Sequence, residues 1–339
     1  MSMNYETRDL VAALKAAAEP TRLRILQLLA AGELNVKDLT QILGQSQPRI
    51  SRHLKLLNEA GLIDRFREGS WVYFYVADGT RGGELVRRIL EAADLGDFVL
   101  LRDQERAAVV KREREAAAQA FFEAHAADWD RIRALHISEA AVEQAMSEML
   151  GAGPFDLLVD LGTGTGRILE LLGERYRQGL GIDLNQSMLA YARSKLAAAG
   201  LDKAQVRHGD LYNLSVEDGT ASAIVMHQVL HFLSDPQRAL REAARVLVAG
   251  GRLMIVDFAP HALEELRERF AHERLGFATA QIEDWLEAAG LRPGEVRTLS
   301  PPASEATDHL TVSIWTAEKP AEAARARKTA PAERKLERT

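Results

Sequence analysis

The chain has 339 residues, enough for two domains and a connector, and 47% of them are hydrophobic, enough for two cores. It contains no cysteine, which excludes disulfides, cysteine–metal clusters and thiolate nucleophiles. Its net charge of −6 gives no overall attraction to phosphate, so any affinity for nucleic acid must come from a local patch. No apolar run approaches the roughly 20 residues that span a bilayer and the N-terminus lacks a secretory pattern, so the expectation is a cytoplasmic protein with no membrane partner.

The first elements are helical. Glu19-Pro20-Thr21-Arg22-Leu23-Arg24-Ile25-Leu26-Gln27-Leu28-Leu29 carries apolar residues at helical spacing and ends at Gly32. A short helix follows from about Val36 to Leu43, broken by Gly44-Gln45. Ser46 then caps a helix with Pro48 in its first turn, running to Ala60-Gly61. Ile50, Leu54 and Leu57 form its inward face, which leaves Gln47, Arg49, Ser51, Arg52, His53 and Lys55 for other faces. This is a helix-turn-helix with the reading helix second. A two-stranded ribbon comes next, Leu62 to Arg67 and Trp71 to Val76, turning at Glu68-Gly69-Ser70, with Arg65 and Arg67 available for phosphates. The stretch from Arg49 to Arg67 holds five basic residues against Glu59 and Asp64 and supplies the local patch.

The first hundred residues resemble the winged-helix ArsR/SmtB repressors, most closely at Pro20-Thr21-Arg22-Leu23-Arg24-Ile25-Leu26 and Ser51-Arg52-His53-Leu54-Lys55-Leu56-Leu57. The resemblance implies double-stranded operator DNA as partner and a homodimer formed through flanking helices, here about Tyr5 to Ala18 and Arg81 to Ala93. Apolar positions of those helices include Leu10, Leu14, Leu85, Ile89 and Leu90. Metal-sensing members carry paired cysteines where this chain has Glu33-Leu34-Asn35-Val36-Lys37-Asp38-Leu39. Zinc sensors use histidine in the last helix, and Asp78 to Asp97 has none. No metal site is expected.

Leu101 to Arg114 is dense in Arg and Glu with Val109 and Val110 inside, which predicts a largely solvated helical spacer, and the connector from Leu101 to Met146 is expected to be the only covalent route between the domains. Amphipathic helix with aromatics resumes at Phe121, and Phe122, Trp129 and His136 are candidates to line a site beyond it or to pack that helix on the sheet.

The run Val159-Asp160-Leu161-Gly162-Thr163-Gly164-Thr165-Gly166 ends an apolar strand, Leu157 to Leu161, in an acidic residue and three glycines. A helix from Arg167 to Leu172 follows. Such a turn lets a ligand approach the backbone, and a helix N-terminus favours a carboxylate. Asp183 ends the next apolar strand, Leu180 to Ile182, where it can accept hydrogen bonds from a ribose, and the pair defines a nucleoside site. The third glycine comes one residue too early for the dinucleotide fingerprint, which disfavours NAD. The pattern resembles the class I S-adenosylmethionine-dependent methyltransferases. Gly209-Asp210-Leu211 after a third strand (Gln205 to His208), and Asp235-Pro236 followed by Leu240 to Leu253, continue the resemblance over roughly 170 residues. It implies S-adenosylmethionine or S-adenosylhomocysteine as cofactor, held by Asp160, Gly162, Thr163, Gly164, Gly166, Asp183, Leu184, Met188, Asp210, Leu211 and His227. The absence of cysteine excludes the cysteine-dependent arsenic methyltransferases.

The fourth strand is predicted to end near Met226, placing His227 and Gln228 at the ligand-binding edge and His231 one turn into the next helix. His227 and His231 are the candidate catalytic bases for deprotonating a methyl acceptor, or else contact the cofactor or cap the helix. His261, His272 and Glu273 precede the sixth strand, a region that the family uses for the acceptor pocket.

The expected fold class is α/β plus winged helix: an N-terminal winged helix-turn-helix and a C-terminal Rossmann-like methyltransferase sheet with helices on both faces. The expected domains are 1–100 for DNA binding and dimerisation, 101–146 for a helical connector and cofactor-site cover, 147–320 for the methyltransferase domain and 321–339 for a disordered tail. The function expected is a DNA-binding repressor whose methyltransferase fold binds the cofactor as small-molecule effector, controlling methionine or one-carbon metabolism. The alternative is an active methyltransferase whose winged helix regulates its own operon.

Overall fold

A computed structural model describes residues 5–68, 70–77, 80–94, 96–129, 139–300 and 310–321. His136 and the tail beyond 321 lie outside the described residues. The chain divides into two units, one built from the chain up to Ala118 plus His261–Leu275, the other from Gln119–Pro260 plus the chain from Gly276 onward.

The first unit follows the expected winged-helix order: α1 (Thr7–Ala17), α2 (Pro20–Ala30), β1 (Leu34–Asn35), α3 (Val36–Leu43), α4 (Gln47–Glu59), β2 (Asp64–Glu68), β3 (Trp71–Tyr75) and α5 (Arg81–Glu91). The starts of α2 and α3 have local causes, whereas Ser46 stands at the N-cap position of α4 without a side-chain cap hydrogen bond. Glu19 accepts the Arg22 N–H at 2.8 Å ahead of α2, and Asn35 and Asp38 form a reciprocal capping box at α3. Gly44 ends α3 in the left-handed conformation at φ +64 and opens the turn into α4. Ile50, Leu54 and Leu57 are each no more than 1% exposed and close the core over Ile25, Leu26, Leu39 and Ile42. The ribbon is antiparallel in the order β1-β3-β2, so Arg65 and Arg67 share one face of β2 and Phe66 and Glu68 the other.

Helix α6 (Phe98–His125) corrects the expectation of a solvated spacer. Asp103, 2% exposed, accepts a two-pronged bond from Arg24. Arg106 donates to the Ile42 carbonyl at 3.1 Å, Val110 is buried, and Arg114 pairs with Asp38. Its first half is packed onto the winged helix because its charges have fixed partners there. A second correction concerns connectivity. Residues 261–275, which include α11 (Glu265–Phe270), group with the first unit, so the chain passes between the units more than once and 101–146 is not the sole covalent link.

The second unit is a seven-stranded sheet in the order β6-β5-β4-β7-β8-β10-β9. The strands are β4 (Phe155–Leu161), β5 (Tyr176–Asp183), β6 (Ala204–His208), β7 (Ala221–His227), β8 (Leu247–Phe258), β9 (Arg292–Leu299) and β10 (Val312–Glu318). All neighbours are parallel except β10, which runs antiparallel to both β8 and β9. Helices α10 (Pro236–Val246) and α12 (Thr279–Ala288) pack one face, where Leu240, Ala243, Ile282 and Leu286 meet Val159, Ile224, Met226 and Ile255. Alternate residues Leu158, Val225, Met254, Val256 and Ile314 are buried as well, so both faces are covered. The remaining helices are α7 (Glu139–Leu150), α8 (Arg167–Leu171) and α9 (Gln186–Ala198). Strand order reverses between β4 and β7, and the glycine loop after β4 sits at that switch point. Among the described residues no helix is long and apolar enough to cross a membrane.

Candidate functional site

Two sites take shape, one in each unit. In the sheet unit, Gly162, Gly164 and Gly166 all have positive φ (+76, +51 and +80), a conformation that other residues adopt at a cost. A Cβ on Gly162 would stand 2.4 Å from Val229 Cγ2, so this position has no room for a side chain. The loop is tied to the end of β5: Gly162 and Thr163 donate their N–H groups to the Ile182 carbonyl at 2.8 and 3.1 Å, and the Gly164 N–H reaches Asp183 Oδ2 at 2.8 Å. The other Asp183 oxygen accepts the Asn185 N–H at 2.8 Å. Burial pushes the Asp183 carboxyl above the ordinary aspartate range, opposed by the N–H groups of Asn185, Gly164 and Leu184. The two carboxylate oxygens have four lone pairs between them, so these three N–H groups leave one for a hydroxyl.

Asp160 lies deeper than the sequence suggests: it is 1% exposed and its Oδ2 accepts the Thr163 hydroxyl at 2.6 Å. Around this cradle, Leu184 is 39% exposed and Met188 is buried at the start of α9, while Asp210 is exposed and accepts the Tyr212 N–H at 2.9 Å. Leu211 is buried, and His227 is half-buried at the last position of β7.

Beyond β7 the backbone turns sharply. Gln228 is buried with φ +52, an uncommon conformation for a non-glycine residue, and Leu230–Phe232 form a 3-10 turn in place of the expected α-helix. His231 is 2% exposed, its Nδ1 lies 2.7 Å from Asp257 Oδ1, and its backbone N–H points to Asp257 Oδ2 at 3.3 Å. Asp257 is fully buried and also accepts the Phe258 N–H at 2.8 Å. Sequence reasoning missed Asp257; its signal is the lone acid inside Met254-Ile255-Val256-Asp257-Phe258. Two of the candidate aromatics meet here. Phe122 lies 4.7 Å from Phe232 and 5.2 Å from Trp129, ring centre to ring centre. Trp129 Nε1 would be 3.6 Å from a Cβ on Gly164, which puts the indole beside the glycine loop. His261, His272 and Glu273 are not part of this constellation; they belong to the first unit, where Glu273 pairs with Arg114 at 2.8 Å. Among the described residues no cluster of His, Cys, Asp and Glu could hold a metal ion.

The second site is the outer face of α4 and β2. Gln47, Arg49, Ser51, Arg52 and Lys55 are exposed on α4, and Arg65 and Arg67 on β2. His53 departs from the expectation: its side chain is 11% exposed and turned toward Glu19, with Nδ1 3.7 Å from Oε2. It follows the inward Ile50, Leu54 and Leu57 row rather than the outward one. Burial holds His53 below its ordinary value near 6.5, aided by Arg22, Arg49 and Arg52 and opposed by Glu19. The unfolded chain therefore binds this proton more tightly than the fold does. The His53 contribution to stability is complete above pH about 6.5 and is lost as pH falls through the lowered value. Thermal unfolding across mildly acidic pH is expected to show a steeper fall for the native chain than for His53→Gln; parallel curves would refute it.

Comparison with known proteins bears on both units. The description "Bacterial regulatory protein, arsR family" matches residues 19–65, and "Methyltransferase domain" matches residues 159–255. An uncharacterized HTH-type transcriptional regulator of Methanocaldococcus jannaschii is 38% identical over 81 residues, 24% of this chain and 85% of that protein. The chain belongs to the arsR family, fused to a class I methyltransferase domain. The arsenical resistance operon repressor of Escherichia coli is 52% identical to the arsR-type domain over 61 residues, 18% of this chain and 52% of the repressor. The demethylmenaquinone methyltransferase of Thermus thermophilus is 36% identical to the methyltransferase domain over 105 residues, 30% of this chain and 47% of the enzyme. The chain thus spans about half the length of these last two relatives.

Proposed function

We propose that this chain is a DNA-binding repressor whose methyltransferase domain binds S-adenosylmethionine or S-adenosylhomocysteine as an effector that changes operator affinity. The observation that carries the reading is that one chain joins an exposed basic helix, α4, to a glycine loop tied to the buried carboxylate of Asp183. The glycines at 162, 164 and 166 let the loop turn tightly beside Asp183, which has both oxygens held in place by backbone donors while keeping acceptor capacity for a ribose. Such a site fits an adenosyl cofactor; of the two, S-adenosylmethionine would supply a sulfonium methyl group open to in-line displacement, whereas S-adenosylhomocysteine has no methyl group to transfer. Asp160, Thr163, Leu184, Met188, Asp210, Leu211 and His227 complete the binding residues. The working form is a homodimer through α1 and α5 on an operator with half-sites one helical turn apart. Without cysteines the regulator does not sense arsenic or zinc through thiolates, and the genes it controls are those of methionine or one-carbon metabolism.

The test is operator binding titrated with each cofactor separately, beside an assay of cofactor turnover. An effector must bind the operator-competent and incompetent forms unequally, and DNA must change cofactor affinity by the same factor. The expected coupling is about 5- to 150-fold. Identical operator curves with and without both ligands would eliminate the sensor.

The buried His231–Asp257 pair favours a second reading, an active methyltransferase regulating its own operon. A carboxylate on Nδ1 fixes the tautomer and orientation of a histidine, the arrangement of a general base.

On DNA, Arg52→Ala is expected to cost roughly 1–3 kcal/mol and to relax sequence preference, whereas Arg67→Ala weakens all sequences alike and lowers the salt slope. Equal losses on operator and random duplex for Arg52→Ala would remove Arg52 from base reading.

A further inference from the structure

Residues 261–275 follow β8 in the sequence and precede α12, yet their side chains are spent on the ribbon of the arsR-type domain. Arg274 is 2% exposed; its Nη1 stands 2.8 Å from Glu33 Oε2 and 3.8 Å from Glu68 Oε2, and its guanidinium lies 4.3 Å from the centre of the Tyr73 ring. Glu68, the last residue of β2, accepts the Leu275 N–H at 2.6 Å and pairs with Arg267. Arg267 also covers Trp71, the first residue of β3, at 4.5 Å from the ring centre. Glu264 Oε1 accepts the Ser70 N–H at 2.6 Å, and the Tyr73 hydroxyl reaches the Glu273 carbonyl at 3.4 Å.

The tip of the ribbon is thus gripped on both strands by one segment. A two-stranded ribbon has little stability of its own, and here the third strand, β1, contributes only two residues. Buried ion pairs add little net stability against apolar packing, and their best-attested use is to fix one arrangement among several. Arg65 and Arg67 stand on the opposite face of β2 from Phe66 and Glu68, so whatever fixes Glu68 fixes the direction in which the two arginines project.

We infer that residues 261–275 form a strap that positions the DNA-binding wing, with Arg267 and Arg274 as positioning residues that hold Glu68 so that Arg65 and Arg67 meet the phosphate backbone. The inference rests on the DNA-binding reading alone and not on the effector reading.

The test is the salt dependence of binding of the full chain to a random-sequence duplex long enough for two half-sites. Each lost phosphate contact lowers the slope of log affinity against log salt by about 0.9. Arg267→Ala is expected to reproduce the reduced slope of an Arg65→Ala/Arg67→Ala double variant, and Arg267→Lys, which keeps a charge against Glu68, to recover most of it. A loss of fold stability alone would leave the slope of the folded fraction unchanged. Should Arg267→Ala fail to fold, Glu264→Ala, which releases the Ser70 N–H at the tip and the 3.0 Å contact from Arg267 but leaves the Arg267–Glu68 pair, is expected to lower the slope in the same direction by less. Wild-type slopes in folded Arg267→Ala, or in Glu264→Ala where that variant serves instead, would overturn the strap while leaving DNA binding intact. Failure of the native chain to bind any duplex at low salt would overturn the DNA-binding reading and the strap with it.

Discussion

Asp183→Ala is expected to weaken S-adenosylmethionine and S-adenosylhomocysteine together by roughly ten- to a hundredfold, the worth of about 1.5–3 kcal/mol for a hydrogen bond to a charged group. Both ligands should suffer, because the role proposed for the residue is to hold the nucleoside they share, not the methyl group that distinguishes them. Asp183→Asn is expected to do little better. One carboxylate oxygen accepts from Gly164 and the other from Asn185, so an amide NH2 must face one of two backbone donors. Since burial raises the carboxyl above the ordinary aspartate range, acidification should protonate Asp183, and weaken the cofactor, at a higher pH than it would for an exposed aspartate. Calorimetry at neutral pH checks the loss, and calorimetry at falling pH checks the sign. Unchanged affinity in Asp183→Ala, or tight NAD binding to the native chain, would overturn the nucleoside assignment.

What is legible in the sequence depends on how local the cause is. Ile50, Leu54 and Leu57 recur at the spacing of one helix face, and all three are in the core. The glycines at 162, 164 and 166 and the acid at 183 announce themselves because a tight turn and the end of a strand are short-range features. The same reasoning does not place His53: a polar side chain reads as outward unless its partner is known, and the partner, Glu19, is the N-cap of another helix, α2. Asp257 is one acid in an apolar strand, and nothing near it in sequence points to His231. The strap was illegible for the same reason on a larger scale. Glu68 and Arg274 are separated by most of the chain, and a charge-rich stretch such as Leu266-Arg267-Glu268-Arg269 has the composition of a solvated helix whether or not its charges are paired. Periodicity reports which face is apolar; it does not report which charges will find partners from a distant segment.

Helix α6 makes the same distinction measurable. Its charged surface predicts a solvated spacer, on which removing one carboxylate should have almost no effect, whereas the structure places Asp103 in the interior against Arg24. Asp103→Ala is expected to destabilise the arsR-type domain by about 3 kcal/mol, because breaking a buried pair leaves its partner's charge without compensation. Arg24 is 16% exposed, so water cannot take over the role of the carboxylate without the side chain leaving its place in α2. Asp103→Asn, which retains one acceptor oxygen, should lose less, and Arg24→Met/Asp103→Leu, which removes both charges and keeps the volume apolar, should lose least of the three. The control is the exposed Arg87–Glu91 pair on α5, where truncation should scarcely move the unfolding midpoint. Thermal unfolding followed through the helical signal separates the cases. If Asp103→Ala and Glu91→Ala shift the midpoint equally, α6 is a solvated helix after all; if only Asp103→Ala does, its first half is part of the DNA-binding domain and the boundary between the units falls inside the helix rather than before it.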